Sequence, residues 1–268
     1  MTLQAIIFDC DGVLADTERD GHLPAFNCTF REVGLPLEWT VEEYAHLVHI
    51  GGGKERMATL FDGPLRGTRW DVDRTEQTAL LADWHRRKTQ HYVDLVASGA
   101  LPGRPGIRRI TEDAATSGCL LAVASTSAEV SVRTVLEHVV GNELASRFSI
   151  FAGDIVAAKK PAPDIYLHAL KDLEVPASAA LVIEDSGIGC QAAIAAGLRV
   201  VVTTSIFTGG DDFSGAATVL SSLGDPDLER AITQSSAAGL DWPDVVGFDD
   251  LARLFETDAR LTGHVTAK

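Results

Sequence analysis

The sequence predicts an α/β fold: a doubly wound parallel sheet with a block of helices inserted after its first strand. Three observations predict it. The chain opens on an apolar run, Ile6-Ile7-Phe8, that stops on Asp9-Cys10-Asp11-Gly12. From about residue 100 onward, short aliphatic runs alternate with helical patterns, as βαβ units do. Between the two, residues 19–97 are rich in helical patterns and hold no convincing strand.

In chain order, the first strand is expected near residues 3–8. It reads as a buried strand because it is apolar almost throughout. Helices are then expected over 22–33, 41–48, 54–60 and 75–96. Two hinges should bound this insert, near 15–18 and near 98–103, the second holding Gly99, Pro102 and Gly103. The expected division is therefore residues 1–18 with 98–268 as an α/β core, and 19–97 as an inserted helical domain. Four further strands are expected over 120–124, 149–152, 180–183 and 200–203, with helices over 106–117, 130–139, 164–173 and 187–196. Beyond Thr208 the pattern weakens. Residues 209–215 read as a loop, 221–236 as polar with a helical piece, and 245–255 as one last strand-and-helix element.

The chain has 268 residues, 46% hydrophobic and 23% charged, which suits a globular protein with a sizeable core. Its 23 Lys and Arg against 38 Asp and Glu leave a formal charge of −15. Such a surface argues against nucleic acid or an anionic membrane as partner. Any phosphorylated substrate needs cations gathered locally. No basic segment followed by an apolar stretch opens the chain, and no run approaches the ~20 apolar residues of a membrane span. A cytoplasmic location is expected, with a monomer as the default. The four cysteines, Cys10, Cys28, Cys119 and Cys190, show no C-x-x-C spacing and read as reduced thiols.

Chemistry concentrates at the strand ends. Asp9 and Asp11 put two carboxylates at the carboxyl edge of a sheet, where open α/β folds bind ligands. Carboxylates this close repel unless a cation or a shared proton relieves them, and a divalent ion with oxygen ligands, Mg²⁺, is the simplest answer. Each could instead cap a turn. Ser125-Thr126-Ser127 ends the second strand with hydroxyls and N–H groups suited to a phosphate, or to ordinary helix capping. Lys159-Lys160 leads into Pro161-Ala162-Pro163 and reads as a site or as a surface charge run. Glu184-Asp185 ends the fourth strand. Together these ends converge on one crevice.

With these motifs in order, Asp9-x-Asp11-Gly12, Ser125, Lys160 and Glu184-Asp185, the chain resembles the haloacid-dehalogenase superfamily of phosphotransferases over nearly its whole length. The resemblance implies a Rossmannoid core, with the insert as the small α-helical cap of β-phosphoglucomutase-like members. Residues 50–57 (Ile-Gly-Gly-Gly-Lys-Glu-Arg-Met), Gly21-His22, Ala25-Phe26-Asn27, residues 85–89 and Phe207-Thr208-Gly209 are similar to the CbbY group of sugar-bisphosphate phosphatases. That group is known for dephosphorylating xylulose 1,5-bisphosphate.

The resemblance implies a role for each motif residue. Asp9 would attack phosphorus and form an aspartyl phosphate. Mg²⁺ would be held by Asp9, the Asp11 carbonyl and Asp185, with Glu184 orienting its waters or ligating directly. Lys160 would offset negative charge, Ser125 and Thr126 would hold phosphoryl oxygens, and Asp11 would serve as acid, then base.

In the insert, Gly51, Gly52 and Gly53 let backbone N–H groups approach an anion, with Lys54 and Arg56 beside them, although a Gly triplet is more often a flexible turn. Arg87 and Lys88 match by resemblance a phosphosugar-contacting segment, or form a solvated basic face. Glu18 is a candidate for sugar hydroxyls or a helix-start residue, and His22 faces the cleft or packs. The expected activity is a Mg²⁺-dependent phosphatase acting on a small phosphosugar, foremost xylulose 1,5-bisphosphate. The alternatives are a β-phosphoglucomutase-like mutase, a phosphoglycolate phosphatase and, outside enzymes, a phosphoacceptor signalling module.

Overall fold

The computed structural model describes residues 2–99, 101–236 and 240–256. Position 100 of the second expected hinge, and residues 237–239 and 257–268 of the expected core, lie outside the described residues. The first strand, β1 (Ala5–Phe8), is followed by four helices, α1 (Leu23–Val33), α2 (Val41–Leu47), α3 (Gly53–Asp62) and α4 (Arg74–Ala97). Then come α5 (Ile107–Thr116), β2 (Leu120–Ser125), α6 (Glu129–Val140), the short α7 (Asn142–Ala145) and β3 (Phe148–Ala152). Next are α8 (Asp164–Leu173), β4 (Ala180–Glu184), α9 (Gly187–Ala195) and β5 (Arg199–Thr203). The short strands β6 (Thr218–Leu220) and β7 (Thr233–Ser236) precede α10 (Phe248–Ala252).

The sheet runs β3-β2-β1-β4-β5-β6-β7, parallel except for the antiparallel β7. β1 is central, with Phe8 opposite Val123 on one side and Ile183 on the other. The chain builds outward from β1 to β3, then returns to the far side at β4. This reversal opens a crevice at the carboxyl ends of β1, β2 and β4. Because side chains alternate along a strand, β1 feeds two cores. Ile6 and Phe8 join a cluster with Val123, Val132, Leu136 and Phe255. Ala5 and Ile7 join Ala124, Tyr166, Val182 and Val202 on the opposite face. Burial on both faces explains why the run is apolar without alternation.

The helices between β1 and α5 gather a separate cluster around Phe26, Phe30, Trp39, Tyr44, Met57, Phe61 and Trp84. Local signals set their ends. Thr40 and Glu43 form a reciprocal capping box at α2, and Asp73 accepts the Thr75 and Glu76 N–H groups at α4. Asn27 joins the helices across a loop: its amide donates to the Trp39 carbonyl at 2.8 Å and accepts the Trp39 N–H at 2.9 Å.

The carboxyl-terminal expectations need correcting. Residues 221–236 carry no helical piece; they form a loop and the edge strand β7, whose Thr-Gln-Ser-Ser sequence is mostly exposed and has no apolar signal. The stretch 245–255 holds a helix and a tight turn but no strand. β6 has three residues, too few to show a period. Among the described residues no helix is long and apolar enough to cross a membrane.

Removing the Asn27 amide leaves two Trp39 backbone groups without partners. Asn27→Ala is expected to lower stability by about 2 kcal/mol, read by urea unfolding, because unmade hydrogen bonds at a buried site cost about 1–3 kcal/mol. A change under ~0.5 kcal/mol contradicts this account.

Candidate active site

The sheet's carboxyl edge carries a compact ionic centre. Lys160 follows β3 and projects back beneath the end of β1. Its ammonium donates to Asp9 Oδ1 at 2.6 Å, Glu184 Oε1 at 2.6 Å and the Ala124 carbonyl at 2.9 Å. An ammonium has three protons, and all three are used. Glu184, at the end of β4, is wholly enclosed. It also accepts from the Tyr166 hydroxyl at 2.6 Å, the Asp185 N–H at 3.1 Å and the Ser186 hydroxyl at 3.3 Å. Asp185 turns the other way, toward the cleft, with the Thr208 hydroxyl 3.5 Å from its Oδ2.

The carboxylates of Asp9, Glu184 and Asp185 lie within 4.8 Å of one another. One lysine against three buried carboxylates leaves negative charge in excess. Burial raises the Asp9 carboxyl against the pull of Lys160, and Glu184 and Asp11 push the same way. Burial likewise holds Asp185 well above the carboxylate range, reinforced by Glu184 and Asp9. Such oxygens suit a hard divalent cation. Asp9 and Asp185 face the cleft, whereas Glu184 is consumed by its partners, so the donor set fits a metal held from above by the first two.

Asp11 is treated differently. Its Oδ1 accepts from the Thr17 hydroxyl at 2.5 Å and lies 2.8 Å from His22 Nε2; its Oδ2 accepts from the Ser127 hydroxyl at 2.5 Å. Burial alone would raise this carboxyl, but His22 and the three hydrogen bonds outweigh it and hold Asp11 well below the usual range. His22 is stacked on Tyr92 with ring centroids 4.1 Å apart, and its Nδ1 meets Lys88 Nζ at 2.6 Å. Lys88 is buried over the Phe26 and Tyr92 rings, and burial lowers its ammonium to about 8 despite Glu18 and Asp11.

The sequence-derived candidates divide into four groups. Asp9, Asp11, Lys160, Asp185, Thr126, Glu18, Arg56, Lys88 and the triplet Gly51-Gly52-Gly53 all line one cleft, and His22 joins them. Ser125 and Glu184 sit below it; Ser125 Oγ accepts the Ser127 N–H at 3.1 Å. Lys54 lies to one side, paired with Asp154 at 2.6 Å. Arg87 points elsewhere. It pairs with Asp83 and Glu32 on an exposed face of α4, because adjacent helical positions lie about 100° apart and Lys88 takes the inward one.

The expected anion role of Arg56 also needs correcting. Its guanidinium is bidentate to Glu18, at 2.8 and 3.0 Å, and donates to the Ile50 and Val48 carbonyls at 2.9 and 3.2 Å. Glu18 in turn accepts from the Tyr44 hydroxyl at 2.5 Å. Each is therefore the other's partner across the first hinge. Lys54 of the insert and Lys159 of the core meet at the insert–core boundary, each paired with acids. Lys159 bridges Glu55 at 2.7 Å and Asp154 at 3.2 Å. Burial, reinforced by Lys88 and Lys54, lowers the nearby His85 to about 4. Sequence reasoning missed Thr17, Tyr44, Tyr166, Asp211 and the acid–base pairing of Lys159. Isolated hydroxyls and acids carry no spacing signal.

This geometry defines a class before any comparison: an α/β hydrolase that handles phosphate with paired aspartates at one sheet edge. The family profile of haloacid dehalogenase-like hydrolases matches residues 3–197. The chain belongs to that family and, within it, to the CbbY proteins. The CbbY protein of Rhodobacter capsulatus is 43% identical over 240 residues, 88% of this chain and 98% of its own length. An Arabidopsis thaliana CBBY-like protein is 43% identical over 84% of this chain and 71% of its own length. Crystal structures of CbbY from Rhodobacter sphaeroides, one with phosphate and one an Asp-to-Asn mutant with xylulose-(1,5)bisphosphate, superpose with TM-score 0.74 at 41% identity. They cover 82% of this chain and 94% of their own. The protein is an enzyme, a phosphatase.

A helix interior normally favours Ala over Gly by about 1 kcal/mol. At Gly189 in α9 a Cβ would fall 2.0 Å from Glu184 Oε1. Gly189→Ala is therefore expected to destabilise by about 2 kcal/mol or more and to cut kcat, since Glu184 and Lys160 must shift together. A stabilised or fully active variant would contradict the packing described for Glu184.

Proposed function

We propose that this chain is a Mg²⁺-dependent phosphatase that hydrolyses xylulose 1,5-bisphosphate to xylulose 5-phosphate through an aspartyl phosphate. The observation that carries the reading is the opposite treatment of two aspartates at one strand end. Asp9 is packed against Lys160, 2.6 Å away, while Asp11 is held by Thr17, His22 and Ser127. Asp9 has the place of a nucleophile beside a fixed cation. Asp11 has the place of a proton carrier.

In the first half-reaction an Asp9 oxygen bonds to phosphorus, the bond from phosphorus to the sugar oxygen breaks, and Asp11 delivers a proton to that oxygen. In the second, water attacks the aspartyl phosphate, Asp11 takes the water's proton, and Asp9 is released. Asp11 is held as the anion that the second step needs. The proton that Asp11 takes from that water serves the first step of the next turnover, and His22 Nε2, 2.8 Å away, holds its carboxylate in place. Asp9, Asp185 and the Asp11 carbonyl would hold Mg²⁺, which would supply charge that screens the carboxylates from the phosphate dianion. Lys160 shares that task, and Thr126 with Ser125 shapes the phosphate seat.

Residues 19–97 serve as a cap. They carry their own apolar cluster, and Lys54–Asp154, Glu55–Lys159 and Tyr44 against Phe207 tie them to the core. A second phosphate is proposed near Lys54, Lys159 and the backbone of Gly52 and Gly53, where α3 begins. The R. sphaeroides mutant complex with xylulose-(1,5)bisphosphate supports this substrate. Four unpaired cysteines, three of them buried, suit a cytoplasmic compartment.

Phosphate release from sugar mono- and bisphosphates, with and without Mg²⁺, tests the proposal. Xylulose 1,5-bisphosphate should lead by kcat/KM, and Asp9→Asn should lose at least about a thousand-fold. Lys54→Ala should hurt bisphosphates several-fold more than monophosphates. Interconversion of β-glucose 1-phosphate and glucose 6-phosphate at a comparable rate would make it a mutase.

The raised carboxyls of Asp9 and Asp185 give a second prediction. A group with a raised folded-state pKa keeps its proton as pH climbs past the unfolded value, so near neutrality Mg²⁺ must displace protons. Mg²⁺ affinity should therefore rise between pH 6 and 8. Calorimetry in buffers of different ionisation enthalpy should show proton release, and a pH-independent affinity with no release would contradict it.

A further inference from the structure

Arg104 lies just past the second crossing between insert and core, outside every motif described above. Its backbone is tied to the first crossing: the Arg104 N–H donates to the Leu14 carbonyl at 2.9 Å, and Gly103 bridges Ala15. Its guanidinium donates to three main-chain carbonyls from three distant segments. These are Gly12 at 2.7 Å, Thr204 at 2.8 Å and Ser221 at 2.5 Å.

These acceptors follow β1, β5 and β6, so Arg104 spans the sheet edge on both sides of β4. The side chain at the end of β4 that faces the cleft is Asp185. Both of its flanks depend on the segments that Arg104 holds. Gly12 has φ +84°, and a Cβ there would fall 2.1 Å from Asp185 Oδ2, so the Gly12 turn is packed directly against that carboxylate. On the other flank, the chain leaves Thr204 into a turn in which the Ser205 N–H donates to Thr208 Oγ1 at 2.8 Å. That same hydroxyl lies 3.5 Å from Asp185 Oδ2.

We propose that Arg104 is a positioning residue that sets the seat of Asp185, and through it the affinity of the site for its metal. The inference rests on the metal-dependent reading above. Arginine is the residue that can do this. A planar fork of five donors reaches three carbonyls at fixed directions from two separate nitrogens, whereas lysine would need all three oxygens to converge on one nitrogen. The guanidinium's three hydrogen bonds go to main-chain carbonyls of the two walls between which Asp185 stands, and its charge also acts on that carboxylate. Partners of this kind typically change metal affinity 10- to 100-fold, that is on the order of tenfold or more, when removed.

Mg²⁺ titration calorimetry on the full-length wild type, Arg104→Met and Arg104→Lys tests the inference, at a temperature where circular dichroism shows each protein folded. Arg104→Met should weaken Mg²⁺ binding about tenfold. Arg104→Lys, which keeps the charge and is the variant expected to fold if the first does not, should weaken it in the same direction. A role confined to stability would lower Tm and leave the Mg²⁺ dissociation constant of the folded protein unchanged. Affinities within twofold of wild type in the folded variants therefore overturn the role of Arg104 while leaving the metal site intact. A wild-type chain that binds no Mg²⁺ overturns the metal site itself, and this inference with it.

Discussion

One buried ammonium organises this molecule. Lys160 has three protons and three fixed acceptors, two of them carboxylates from different strands, in a space where a third carboxylate also stands. Burying unbalanced charge is among the costliest things a fold can do. The surrounding structure is arranged to make it tolerable. β1, β2 and β4 are adjacent, so Asp9, Ala124 and Glu184 reach one nitrogen. Tyr166 and Ser186 complete the hydrogen bonds of Glu184, and Gly189 leaves room for its carboxylate. What stays uncompensated faces the cleft, where a cation and a phosphate belong.

The insert contributes to the chemistry as well as covering it. Thr17, His22 and Lys88 come from the first hinge and the helices beyond it, yet they end on Asp11 in a line of short contacts. The two aspartates after β1 thus sit in opposite surroundings, Asp9 against Lys160 of the core and Asp11 against Thr17, His22 of the insert and Ser127. The acidic surface, with a net charge of −15, does not prevent binding of an anion. Lys54, Lys88, Lys159 and Lys160 all stand where the insert meets the sheet edge, the first and the last two each beside a carboxylate and Lys88 beside His22. Arg56 serves that boundary mechanically instead, through Glu18.

Much of this was legible in the chain itself. The central strands β1, β2, β4 and β5 announce themselves as short aliphatic runs, because strands buried on both faces tolerate little else. The helices of the insert appear at nearly their observed bounds. Asp9 and Asp185 follow directly on strand ends, Asp11 comes just after Asp9, and Lys160 stands out in the lysine pair that leads into Pro161-Ala162-Pro163. The misreadings have a common origin. β7 is polar and exposed, and pairing with β6, not burial, makes it a strand. The reading of Arg56 rests on charge beside the Gly triplet and that of Arg87 on resemblance, but Glu18 and Glu32, remote in sequence, are their partners.

The sequence by itself determined the sheet, the insert and the acids that follow strand ends, because backbone period and strand polarity are local properties. Only the tertiary structure decided which acid is paired and which is left to bind, which cation is spent on a partner and which faces the cleft. Those outcomes depend on distances between residues up to 151 positions apart, as from Asp9 to Lys160, and electrostatic energy in a buried site follows distance in space.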